Sequence, residues 1–266
     1  MGLADRDYHR APPLDYYGPP TGAPFGGGFD SRSVTTWLIG INVAVFVLNA
    51  IVRMPYSLPV PVAIVDPAGN EYVTVRNMLF PWIEGVGHFS AYTALYKYQV
   101  WRFLTFQFLH AGLGHLLGNM LSLYFFGPII ERYLGSRRYL YFYLFCGIGG
   151  PIAYLLFMLV GVLPYNAVVP LVGASAGIFG ILVAAARVAP DVRVMLLLPP
   201  VPLRLRTLAW IFVGIAVFTV FTSGNNAGGE AAHLGGAVLG FLLIRYPHVL
   251  TFRLPKRKPK YMRYDG

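Results

Sequence analysis

Cysteine is nearly absent: the 266-residue chain has one, Cys146, inside an apolar run. No internal disulfide is possible, so a disulfide-stapled scaffold is excluded and the redox compartment stays open. Cys146 reads as a small buried apolar residue rather than a reactive thiol. Charge is also scarce. Asp, Glu, Lys and Arg make up 12% of the chain, about half of the roughly 25% typical of a soluble domain, which argues against an ordinary water-soluble enzyme. The N-terminal region holds no apolar stretch of signal-peptide type, and Arg6 stands where a myristoylation motif wants Ser or Thr. No inverted repeat is apparent, which removes the usual mark of a secondary transporter.

What is abundant is apolar surface: 56% hydrophobic residues and a mean hydropathy of +0.57, arranged in long uncharged runs. These place the chain in a lipid bilayer. Val34–Val52 is long enough to span at about 1.5 Å per residue. Further spans fall near Thr105–Ile130, Tyr139–Leu163, Gly173–Val188, Leu208–Thr222 and Ala231–Tyr246. The expected fold is all-α: a six-helix polytopic membrane domain over residues 34–246. A disordered tail (1–33) rich in Pro, Gly, Asp and Tyr precedes it, and a basic, proline-broken tail (247–266) follows. Residues Arg53 to Lys97 differ in kind. Pro55, Pro59, Pro61 and Pro67 forbid a long helix, and Phe80, Trp82, Phe89, Tyr92 and Tyr96 interleave with polar groups as in the headgroup region. They read as a large first loop that dips into one leaflet without crossing.

Six spans put both termini on one side. Of the 21 Lys and Arg residues, all but Arg53, Arg76, Lys97 and Arg102 then lie on that side. The positive-inside rule makes it the cytosol, and the expected location is the plasma (inner) membrane. The net charge of +10 is explained by this topology, so no nucleic-acid partner is expected.

The second, fourth and sixth spans run in the same direction, and each carries polar groups near its outer beginning: His110, His115 and Asn119; Ser175; and His233. Such groups usually face a bundle interior or a wet cavity. His115 and Asn119 are four apart and share a face, whereas His110, about 140° away on a helix, need not join them. The fourth span is only about 24 Å long, short of a core about 30 Å thick, so Ser175 should sit below the membrane surface, open to water. Gly177, Gly180 and Ala184 on that span, and Ala232, Gly236 and Gly240 on the sixth, form small-residue faces that permit close approach and would bring His233 to Ser175.

A serine hydroxyl needs a base to become a nucleophile, and an imidazole within about 3 Å supplies one. The Ser175 N–H, the Asn119 amide and the His115 ring are candidate donors to an oxyanion. Glu230, three residues before His233, reads as a solvated loop charge or helix-start acid, so the expected catalytic pair is a Ser–His dyad. Gly173 to Gly177 also fits a G-x-S-x-G nucleophile elbow, but that elbow needs a preceding strand, and Pro164 and Pro170 interrupt the segment here.

The chain resembles the rhomboid family of intramembrane serine proteases. The likeness rests on Trp101-Arg102, His110 with His115 and Asn119, Glu131-Arg132 with Gly135, Gly173-Ala174-Ser175, and Ala232-His233 with Gly236 and Gly240. It implies an endopeptidase that cleaves transmembrane segments of single-span membrane proteins and needs no cofactor or metal. Ser175 is then the nucleophile, His233 the base, and His115 and Asn119 the oxyanion hole. Trp101-Arg102 would sit in the first loop, and Glu131 and Arg132 would pin the cytosolic end. Ala176 follows the serine where many members have glycine. The resemblance also implies substrate access between the second and fifth spans, where Phe218 and Phe221 are candidate plugs and the glycine-rich connector Ser223–Glu230 a mobile cap. The alternative within the same likeness is a non-catalytic membrane-protein-binding protein. Such proteins typically lack the serine or histidine, and both are present here.

Overall fold

A computed structural model of the chain describes residues 33–52, 54–65, 69–195 and 200–251. The expected N-terminal tail, Ser33 apart, and the basic run Lys256–Lys260 lie outside the described residues. In chain order the elements are α1 (Val34–Ile51), β1 (Pro55–Val65), β2 (Glu71–Pro81), α2 (Trp82–Gly87), a π-helical turn at Tyr92–Tyr96, α3 (Arg102–Thr105) and a 3₁₀ turn at Phe106–Phe108. There follow α4 (Leu113–Leu134), α5 (Ser136–Leu159), α6 (Ser175–Val188), β3 (Arg193–Met195), β4 (Pro202–Arg204), α7 (Leu205–Phe221), α8 (Ala227–Arg245) and a 3₁₀ turn at Pro247–Leu250. Four of the helices, α1, α4, α5 and α8, are long and apolar enough to cross a membrane, while α6 and α7 are shorter apolar helices. Large apolar side chains such as Trp37, Leu159, Trp210 and Phe218 stay exposed on the bundle's outside, as an integral multi-pass membrane protein requires.

Two features depart from an all-α reading. The first loop contains an antiparallel hairpin whose register runs from Pro55↔Pro81 to Val65↔Glu71, and β3 pairs with β4 in a second, short hairpin. The prolines exclude a helix there but not a strand. Pro55, Pro59 and Pro61 share one parity, which lets their missing N–H groups fall on the free edge of a two-stranded sheet. The final 3₁₀ turn also extends the bundle past residue 246, with Leu250 buried in its main core.

Two polar knots hold the ends of the bundle. At one end the buried Glu131 carboxylate accepts from Ser33 Oγ, the Val34 N–H, the Thr35 N–H and hydroxyl, and Ser136 Oγ, at 2.7–3.0 Å. It therefore anchors the start of α1 and the start of α5 to the end of α4, and an anion suits both helix N-termini. Arg132 instead bonds the Pro128 carbonyl of its own helix. At the other end Arg102, fully buried, donates to Gln99 Oε1, the His88 carbonyl and the Gly85 carbonyl. Three acceptors make this buried guanidinium tolerable. Burial holds the neighbouring His88 ring down to about 4, with the Arg102 charge acting in the same direction, so it is neutral at physiological pH. Its Nδ1 bonds the Glu84 carbonyl at 2.8 Å.

Between the knots, α5, α6 and α8 meet through glycine. A methyl at Gly236 would overlap the Ala176 carbonyl, one at Gly240 the Gly180 backbone, and one at Gly235 the Gly149 carbonyl. A methyl at Gly177 would lie 2.7 Å from the Tyr143 ring. The small-residue faces thus do more than line a helix: the backbones themselves are in contact. Gly240→Ala is expected to lower thermal stability in detergent by about 1–3 kcal/mol or more, the usual scale of overpacking. Gly214→Ala, on α7 where a methyl meets nothing within 4 Å, should leave the melting temperature unchanged. Equal effects of the two would refute the contact seam.

Candidate active site

Ser175 is the first residue of α6. The chain reaches it through an extended segment clamped on both sides: Phe89 and Leu171 exchange backbone hydrogen bonds at 3.0 and 2.7 Å, and the Gly173 N–H donates to the Phe106 carbonyl at 3.0 Å. The first loop therefore sets the approach to the serine. Gly173 has a φ of +132° and lies against the His115 ring, so that a Cβ there would fall 2.8 Å from His115 Cε1 and Nε2 and 3.5 Å from Ser175 Oγ. Both conformation and space require glycine. The helix has no side-chain cap, and its first backbone bond is Ile178 N–H to the Ala174 carbonyl, so the amides of Ser175 to Gly177 lack an intrahelical partner.

His233 lies two turns into α8, where the glycine seam brings it against α6. Its Nε2 is 2.8 Å from Ser175 Oγ, and its Nδ1 is 2.9 Å from Glu230 Oε2. The Phe179 ring stacks on the imidazole at 4.2 Å and 12°. His115 and Asn119 lie on the first turns of α4. Asn119 is buried, and among the described residues its Nδ2 has no hydrogen-bond partner. The structure thus brings together Ser175, His233 and His115, with Asn119 one turn beyond His115. Among the described residues no three His, Cys, Asp or Glu side chains cluster so as to hold a metal.

Several details differ from the sequence reading. α4 starts at Leu113, so His110 precedes it and the helical-wheel argument against His110 does not apply. Its ring meets His115 edge-on at 5.1 Å, with both ring nitrogens buried and without a partner among the described residues. Glu230 belongs to α8, not to a connector, because Gly228 and Gly229 form the helix's first turn instead of a loose loop. Phe218 and Phe221 are 69% and 67% exposed and face away from the bundle. Phe212, in the first half of α7, packs edge-on against Phe179 and helps line a cavity of about 400 Å³ with Leu121, Phe125, Leu182 and Met195. α7 packs on α6 and α8 and scarcely on α4, which leaves this groove between α4 and α7.

Residues 97–248 match the family model described as the Rhomboid domain. The chain belongs to the rhomboid family. It is 37% identical over 142 residues to Rhomboid protease GluP of Bacillus subtilis (strain 168), covering 53% of this chain and 25% of that protein. To RHOMBOID-like protein 1 of Arabidopsis thaliana it is 37% identical over 100 residues, covering 38% of this chain and 24% of that protein. The rhomboid chain described here thus spans about a quarter of the length of these curated relatives. A third relative, Inactive RHOMBOID-like protein 8 of Arabidopsis thaliana, is 30% identical over 165 residues, covering 55% of this chain and 42% of that protein, so rhomboid likeness alone does not decide activity. The matched region omits α1 and the β1–β2 hairpin.

Because the Asn119 amide is buried without a partner, it carries an uncompensated desolvation cost. Asn119→Ala is therefore expected to leave the melting temperature unchanged or raise it. A clear loss of stability would show that the amide is an ordinary structural donor.

Proposed function

We propose that this rhomboid is an intramembrane serine endopeptidase acting on single-span membrane proteins, with Ser175 as nucleophile and His233 as general base. The observation that carries the reading is the 2.8 Å approach of Ser175 Oγ to His233 Nε2, made between two helices whose start points lie at one end of the bundle. His233 takes the Ser175 proton as Oγ attacks the scissile carbonyl. The carbonyl oxygen becomes an oxyanion that the free Ser175 N–H, the Asn119 amide and the His115 ring stabilise. The tetrahedral intermediate collapses, the C–N bond breaks, and His233 returns the proton to the leaving amine. Water then attacks the acyl-enzyme by the same route and releases Ser175.

A substrate helix cannot offer its peptide bond while its carbonyls are held in backbone bonds. It must unwind locally and enter sideways. The groove between α4 and α7, closed at its side by Phe212 on Phe179, suits that path. The six apolar helices, with α6 and α7 as short spans, and the Lys/Arg distribution support a topology with both termini cytosolic. A non-catalytic binding role has less behind it: a hydrogen-bonded Ser–His pair beside an unpartnered buried amide has no evident use in holding a partner.

Purified protein in detergent should cleave members of a panel of single-span substrates, and a fluorophosphonate should label Ser175. Ser175→Ala is expected to abolish both without changing expression; undiminished cleavage by that variant would sink the mechanism. Asn119→Ala should lower kcat by about 10²–10³, the usual loss for one oxyanion donor, with little change in KM.

A further inference from the structure

We infer that Glu230 is a third member of this constellation: a positioning residue whose carboxylate fixes the tautomer of His233 and balances the charge that the ring gains. The inference rests on the serine-protease reading above and extends it from a dyad to a triad. The three groups stand in line, with Glu230 Oε2 2.9 Å from His233 Nδ1 and His233 Nε2 2.8 Å from Ser175 Oγ. A carboxylate can only accept, so Nδ1 carries the proton. Nε2 is then left with its lone pair toward the serine, which is the form a general base needs.

The local fold is arranged for this contact. α8 begins at Ala227, which puts Glu230 and His233 three apart on one helix face. Gly228 sits under the Tyr154 ring and Gly229 against the Asn226 side chain, each too close for a comfortable Cβ, so the first turn is tightly seated and Glu230 is placed with it. Phe179 fixes the plane of the imidazole from one face. The Glu230 and His233 side chains are only 19% and 15% exposed, which removes most of the water that would screen them.

An acid in the first turn of a helix has an ordinary alternative role, favourable interaction with the free amides there. The Glu230 carboxylate does not take it: among the described residues its side-chain hydrogen bond is to His233. Nor does another acid compete for the ring. Of the remaining described acids, Glu71 and Glu84 lie in the first loop, and Glu131 and Asp191 at the opposite ends of α4 and α6. The titratable groups facing the ring from other elements are Ser175 on α6 and His115 on α4, with His110 behind it. None of them supplies a negative charge before the oxyanion forms. Without Glu230, proton transfer would leave an imidazolium beside two further histidines, with no carboxylate at its Nδ1.

The test uses the full chain in detergent, comparing wild type, Glu230→Gln and Glu230→Ala. For a fully buried triad, loss of the carboxylate charge lowers kcat about 10⁴-fold; for this partly exposed one we expect a fall on the order of 10². The fluorophosphonate labelling rate at Ser175 should fall in parallel, while KM and the melting temperature stay at wild-type values. In ¹⁵N-histidine NMR, wild-type His233 should show a protonated Nδ1 with a downfield proton that moves upfield in both variants. Wild-type kcat in Glu230→Gln, or a His233 ring protonated at Nε2 in the wild type, would overturn the assignment. So would a loss of melting temperature with kcat unchanged, the mark of a helix-start acid. The NMR readout needs no turnover. Cleavage retained by Ser175→Ala would therefore remove the protease reading while the tautomer result still judged Glu230.

Discussion

Backbone contact between α6 and α8 is the constraint on which everything else depends. Ser175 and His233 are 58 residues apart in sequence and on different helices, and imidazole-to-hydroxyl distance leaves no room for side chains between those helices at that depth. Gly236 against Ala176 and Gly240 against Gly180 remove them. In lipid there is no hydrophobic drive to squeeze helices together, so close van der Waals fit and backbone proximity must supply the association. The same fit that stabilises the bundle therefore sets the Ser175–His233 distance. A small change in the packing of α8 translates directly into a change at the site.

The second requirement is that α6 begin where it does. Its first residue is fixed by neighbours outside the helix: Phe89 and Phe106 hold the segment 171–173 through backbone bonds, and Gly173 leaves space for His115. Arg102 in turn ties Gly85, His88 and Gln99 into one block. The first loop is thus a scaffold for the start of α6 and Ser175. Its β-hairpin joins that block through Pro81 and α2.

Much of this was legible in the residues. α1 ends within one residue of its expected boundary, and the glycine faces of α6 and α8 were readable from their four-residue spacing, because close helix packing leaves a periodic trace. The four residues put forward for the chemistry came from polar groups in apolar runs, where each is costly and hence conspicuous. The start of α4 was misread by eight residues. Phe106–Phe108 lies in a largely apolar stretch, yet it forms a 3₁₀ turn that delivers the carbonyl holding Gly173, a tertiary demand with no local signal. Gly228 and Gly229 misled in the other direction. Glycine pairs usually mark connectors, but here they are small because Tyr154 and Asn226 press on them, so of the two readings of Glu230, loop charge or helix-start acid, the second places it correctly. The i,i+3 spacing of Glu230 and His233 was a usable clue. The hairpin was hidden because prolines normally argue against a strand, and only the free edges of a two-stranded sheet accommodate them.

The Glu131 knot has a consequence for the order of assembly. The Ser33–Thr35 donors that bind this carboxylate precede it by 96 to 98 residues. A chain made from its N-terminus must therefore insert α1 well before its anchor exists, with the amides at its start served by water or lipid headgroups in the meantime. Only when α4 is complete, and Ser136 follows, can the first helix be locked in place. The early bundle is thus open on the side where α1 will lie. Its closure waits on that one carboxylate, and the ends of α1, α4 and α5 that meet there become fixed together instead of in succession.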